Sequence, residues 1–116
     1  MIVEIQPVVP DSGIIVWEWH IWDHLIQDVD SSLPNYGVVS DHPELININI
    51  GNFTNPNGGD WLHSNAIAYN QQLEQIVFSS RHFDEIFIID HSTTTQEAAG
   101  HQINLVHIGF KMETRL

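Results

Sequence analysis

Apolar side chains recur at every second position through most of this chain, and period two marks strands rather than helices. Ile2 to Val8 reads as one strand, ended by the turn-forming run Pro10-Asp11-Ser12-Gly13. Ile14 to His20 reads as its partner, with Ile15, Trp17 and Trp19 on one face. From Ile21 to Asp28 the period changes, and the spacing of Trp22, Leu25 and Ile26 predicts a short helix. Residues 30 to 60 are predicted to be mostly loop, a length that points to a function or to a larger assembly. Beyond it lies a three-strand meander over Leu62–Tyr69, Ile76–Arg81 and Ile86–His91, turning at 70–75 and 82–85. Strands at such spacing indicate an all-β sandwich, barrel or propeller.

The first meander turn fixes a register. With Tyr69 opposite Ile76, antiparallel pairing carries His63 to within one position of Arg81, with Cα atoms roughly 4.5–5.5 Å apart. Asn65, two residues on from His63, is expected on the same face. The N-terminal strands resemble the outer half of a four-stranded blade, and the meander most of the next. On this pattern the fold is a partial β-propeller of about one and a half blades, with a short helix and a long loop. Residues 2–28 are the end of one blade, 29–60 the loop, 61–100 most of the following blade and 101–116 an atypical tail.

Composition narrows the functions open to such a chain. Its 116 residues suffice for one domain, and the 42% hydrophobic content is that of a globular protein. There is no Cys, which removes disulfides and thiolate metal sites. A formal charge of −12 argues against nucleic acid and against anionic membrane surfaces as partners. The first residues show no basic segment followed by an apolar one, so no signal peptide is read here.

Against 15 acidic residues stand three basic ones, and two of these, Lys111 and Arg115, belong to the last six positions. Arg81 is thus the lone cation of the first 110 residues. It sits in Ser79-Ser80-Arg81-His82, and the register brings it to Asp60-Trp61-Leu62-His63-Ser64-Asn65. An Arg, two His and an Asn together form a positive, hydrogen-bond-donating pocket suited to an oxyanion.

The strings Asp60 to Asn70, Ile76 to His82 and Glu85-Ile86 to Asp90-His91-Ser92, with the upstream Ile15-Val16-Trp17-Glu18-Trp19-His20 and Trp22-Asp23-His24-Leu25, resemble the arylsulfotransferase family over about residues 2 to 101. These are bacterial, PAPS-independent aryl-sulfate sulfotransferases with a six-bladed β-propeller. The resemblance implies transfer of a sulfuryl group from a phenolic sulfate ester to a phenol through a sulfohistidine, with no cofactor. It places catalytic roles on His63 and Arg81, and substrate binding on Asn65, His63 and Arg81. It also implies small-molecule partners (an aryl sulfate and a phenol), a periplasmic or secreted location if the parent carries a signal, and leaves a homo-oligomeric parent open. The family's sulfated histidine has no counterpart here, nor does another active-site histidine of an earlier blade. The tail from His101 departs from the family, which would continue into a Gly-rich loop and a fourth strand. The chain is therefore expected to be a fragment, inactive alone. The alternative function is a non-catalytic β-propeller module with an anion pocket.

Other residues carry plainer readings. Arg81 could equally pair with Asp84 or Glu85, and His82 is either a neighbour of the site or solvated. Trp17, Trp19 and Trp61 read as packing residues, with an aromatic wall for an aryl group as the second option. His20, Asp23 and His24 would share a helical face, yet they lack a recognised metal-binding signature, and no metal is expected. Asp11, Asp28, Asp30 and Glu44 read as solvated surface, and Asn52 to Gly59 as a turn-rich loop.

Overall fold

The structure is a computed structural model and describes residues 1–50 and 59–100, with the backbone of 105–108. β1 (Ile2–Val8) and β2 (Ser12–Trp19) form an antiparallel hairpin whose turn lies where the Pro-Asp-Ser-Gly run predicts it. Ser12 Oγ donates to Val8 O at 3.2 Å across that turn. Glu4 pairs with Trp17 but Ile5 pairs with Ile15, which leaves Val16 as an extra residue on β2. This bulge corrects the expected face. Trp17 and Trp19 are buried while Ile15 is 53% exposed, because an extra residue inverts the alternation on one side of it.

The predicted helix over 21–28 is a 3-10 turn confined to Ile21–His24. Leu25 already has extended dihedrals and, with Ile26, makes β3 (Leu25–Ile26), parallel to β4 (Ile46–Asn47). Both residues are buried, and consecutive side chains can both be enclosed when they point to opposite sides of a strand. The loop expected over 30–60 is likewise partly built. Short 3-10 turns at Val39–Asp41 and Ile48–Ile50 accompany β4, and the buried Gln27 organises the segment after it. Its side-chain oxygen accepts from Val29 N and Asp30 N at 2.9 and 2.8 Å. Its NH2 donates to Asp30 O and Pro34 O at 2.7 and 3.3 Å. Apart from Gly59, the Asn52–Gly59 tract lies outside the described residues.

The meander is β5 (Ser64–Asn70), β6 (Gln75–Ser80) and β7 (Glu85–Asp90), with Tyr69 opposite Ile76 as the register predicts. Asn70 Oδ1 accepts from Gln72 N and Leu73 N, capping the first turn. Glu74 and Asp84, each the last residue before a strand, take φ of +49° and +54°. β8 (Leu105–Ile108) pairs with β7, so the sheet has four strands in the order β5-β6-β7-β8. The segment expected as an atypical tail thus supplies a fourth strand, and its remainder lies outside the described residues.

Ile76 and Phe78 of β6 and Phe87 and Ile89 of β7 alternate onto one buried face. That face meets Trp17 and Trp19 of the hairpin. Phe78 stacks on Phe87 at 4.9 Å between ring centroids and lies 5.9 Å from Trp19. Each such buried side chain contributes about 1.5–3 kcal/mol. α1 (Thr95–Ala98) carries a reciprocal cap between Thr94 and Glu97 and ties back to the hairpin, where Glu18 N donates to Thr95 Oγ1 at 3.2 Å. His24 Nε2 donates to Ala98 O at 2.9 Å while its ring stacks on Trp19. Among the described residues the protein is predominantly β, with open sheets and one short α-helix.

Candidate active site

The tract before β5 is held by its apolar residues. Trp61 lies 5.1 Å from Trp22 and 6.0 Å from Phe83 between ring centroids, and Leu62 packs at the edge of the core. Two hydrogen bonds then join the tract to the end of β6. Buried Ser80 donates its hydroxyl to Leu62 O, and Arg81 N donates to His63 O at 3.1 Å. His63 and Arg81 therefore face each other through their backbones, as the hairpin register predicts.

Local geometry then departs from a regular strand. His63 has φ +46°, a left-handed conformation that costs a non-glycine residue on the order of 1–3 kcal/mol. Ser64 pairs with Ser80 and Ala66 with Ser79, which makes Asn65 a bulge residue. The expected common face of His63 and Asn65 rested on unbroken alternation, and the bulge removes that basis.

Side chains sort into two adjoining groups. Asn65 and Arg81 line a cavity of about 250 Å³ with Ser79, Ser80 and Ile86, and Asp84 and Glu85 also line it. Arg81 is exposed. His63 does not line this cavity. Its Nδ1 instead donates to Asp60 Oδ2, and His82 Nε2 lies 3.8 Å from the same oxygen. The two imidazoles meet edge to face at 5.4 Å. The hydrogen bond from His63 holds the Asp60 carboxyl below the usual carboxylate range, aided by the charges of His63 and His82 and opposed by partial desolvation.

Asn65 also borders a second cavity of about 300 Å³, walled by Trp19, Ile21, Leu62, Ile67 and Phe78. A recess that holds Arg81 together with Asp84 and Glu85 thus adjoins one walled by large apolar side chains, with Asn65 common to both. The sequence brought forward His63, Asn65 and Arg81; it left Asp60 without a role and His82 undecided. The signal for Asp60 was its position three residues before His63, where a turn returns its carboxylate to the ring. His20 and His24 do not form a shared ligand face, since His24 is buried against Ala98 and His20 lies 3.4 Å from Glu18.

The family model of arylsulfotransferase (ASST) matches residues 1–97. The chain belongs to the arylsulfotransferase family. Comparisons with curated proteins and with solved structures find no match. The family match takes in the hairpin, β5, β6 and β7, and with them Asp60, His63, Asn65, Arg81 and His82. Sulfotransferase chemistry is thus the family-level function, and both groups of side chains lie inside the matched region.

Proposed function

We propose that this arylsulfotransferase-family chain carries part of a site for sulfuryl transfer from a phenolic sulfate ester to a phenol. The observation behind this reading is the juxtaposition of the recess holding Arg81 and Asn65 with an apolar cavity large enough for an aryl ring. Arg81 and Asn65 hold the sulfuryl oxygens, where preorganised donors stabilise charge as it develops. His63, held by Asp60, borders neither cavity, so its proposed role as hydrogen-bond donor or proton source to the departing phenolate requires its ring to turn toward the recess. In the first half-reaction a histidine nitrogen attacks sulfur and the aryl S–O bond breaks, the phenolate leaving with the electron pair. The acceptor phenol oxygen then attacks sulfur, the S–N bond breaks, and the phenolic proton passes to a base. The nucleophilic histidine has no counterpart in this chain, so the chain alone is inactive. The four-stranded sheet is read as one blade of a β-propeller and the N-terminal hairpin as the edge of the blade before it.

A non-catalytic module that binds an anion is the second reading, favoured by the fact that among the described residues no histidine lines the cavity containing Arg81. Phenolate release from a chromogenic aryl sulfate separates these cases. The chain alone should give none, and a longer chain that includes the nucleophile should give release that falls steeply in Arg81→Lys, which keeps the charge and loses the planar fork. Undiminished release in that variant would refute the catalytic role of Arg81.

A further inference from the structure

We propose that Asp60, His63 and His82 form a binding site for one divalent transition-metal ion, with Zn²⁺ as the best fit. Each residue offers one ligand atom, and the three atoms lie within 4.8 Å of one another. Ligands sharing a tetrahedral ion with bonds of about 2.0–2.1 Å stand about 3.3 Å apart. The 3.8 Å between His82 Nε2 and Asp60 Oδ2 is close to that spacing.

The donors are two imidazoles and a carboxylate. That set suits Zn²⁺, Ni²⁺ or Cu²⁺, whereas Ca²⁺ and Mg²⁺ prefer oxygen throughout. The backbone beneath the donors is braced. Trp61 packs against Phe83, which is buried and adjoins His82, and the Ser80–Leu62 and Arg81–His63 hydrogen bonds hold the two segments together. Asp60 is 50% exposed and His63 37% by side chain, so water can complete the coordination shell. Other contacts of the same kind show what is special here. His20 with Glu18, His42 with Glu44 and His91 with Glu4 each join a single imidazole to a carboxylate. Among the described residues, only the group at Asp60 brings three potential ligands together. A bound ion would take the Nδ1 of His63 that Asp60 now holds, and would staple the tract before β5 to the turn after β6. The proposal stands on these donors alone and does not depend on the sulfuryl-transfer reading.

The test is titration of the full chain with ZnCl₂, followed by calorimetry and by imidazole ¹⁵N–¹H NMR. One ion should bind, and the resonances of His63 and His82 should shift before those of His20, His42 and His91. Asp60→Asn and His82→Gln should each weaken binding at least as much as outer-shell changes do at metal sites, roughly 10–100-fold. His42→Gln should leave it unchanged, and Ca²⁺ should not compete. The NMR result on the unaltered chain decides the matter even if a variant fails to fold. Unmoved His63 and His82 resonances at excess Zn²⁺, equal affinity in folded His82→Gln, or equal displacement by Ca²⁺ would each overturn the proposal.

Discussion

Ser80→Ala tests whether the tract carrying Asp60 and His63 is held in place by the end of β6. Ser80 is 2% exposed and its hydroxyl donates to Leu62 O. Removing the hydroxyl forfeits a net hydrogen-bond contribution of about 0.5–1.5 kcal/mol, and leaving a buried acceptor unsatisfied raises the cost to about 1–3 kcal/mol. Leu62 is half-buried, so water recovers part of that, and about 2 kcal/mol is the expected loss. For a domain of this size the corresponding fall in Tm is on the order of 10 °C. Circular dichroism measures it. Hydrogen exchange locates it: the Arg81 amide, bonded to His63 O beside the lost contact, should exchange about tenfold or more faster relative to the His91 amide, which is bonded to Glu74 O at the other end of the sheet. A Tm within about 3 °C of the parent, or equal acceleration of both amides, would refute the idea that this hydroxyl positions the tract.

Gln27→Leu keeps the volume and removes the four hydrogen bonds around which residues 29–34 are built, so a loss of about 2–4 kcal/mol is expected. A lowered urea midpoint at unchanged m-value checks this, and an unchanged midpoint would contradict it. Glu97 accepts from the backbone N–H and the hydroxyl of Thr94, and these bonds hold its carboxyl below the ordinary range. A depressed folded pKa contributes stability above the unfolded value and loses it as pH falls through the folded one. The Tm advantage of the parent over Glu97→Gln should therefore be constant near neutrality and shrink below about pH 4.3. A difference that did not change with pH would rule the linkage out.

Much of the meander was legible because its signals are local. Period-two apolar residues on β6 and β7, with polar turns between the strands, set the strand order and the Tyr69–Ile76 register. That register in turn placed His63 opposite Arg81. What escaped depends on single residues acting against a period. Val16 and Asn65 each insert one extra position, so Ile15 leaves the buried face and Asn65 cannot be assigned a face by counting from His63. Trp22, Leu25 and Ile26 do have helical spacing, but the pairing of β3 with β4, whose register joins Leu25 to Ile46, draws Leu25 and Ile26 into a strand. No local pattern contains that partner. Arg81 stood out by charge alone, while Asp60 was one acid among many until the turn at His63 gave it a neighbour.

We propose that the recess lined by Arg81 and Asn65 holds the sulfuryl oxygens. NMR titration of the full chain with phenyl sulfate tests it most directly, since binding can be read without turnover. The Arg81 guanidinium and Asn65 amide signals should shift together, and Arg81→Lys should abolish the Asn65 shift while leaving the fold intact. Phenyl sulfate binding that moves neither residue, or that persists undiminished in Arg81→Lys, would contradict it.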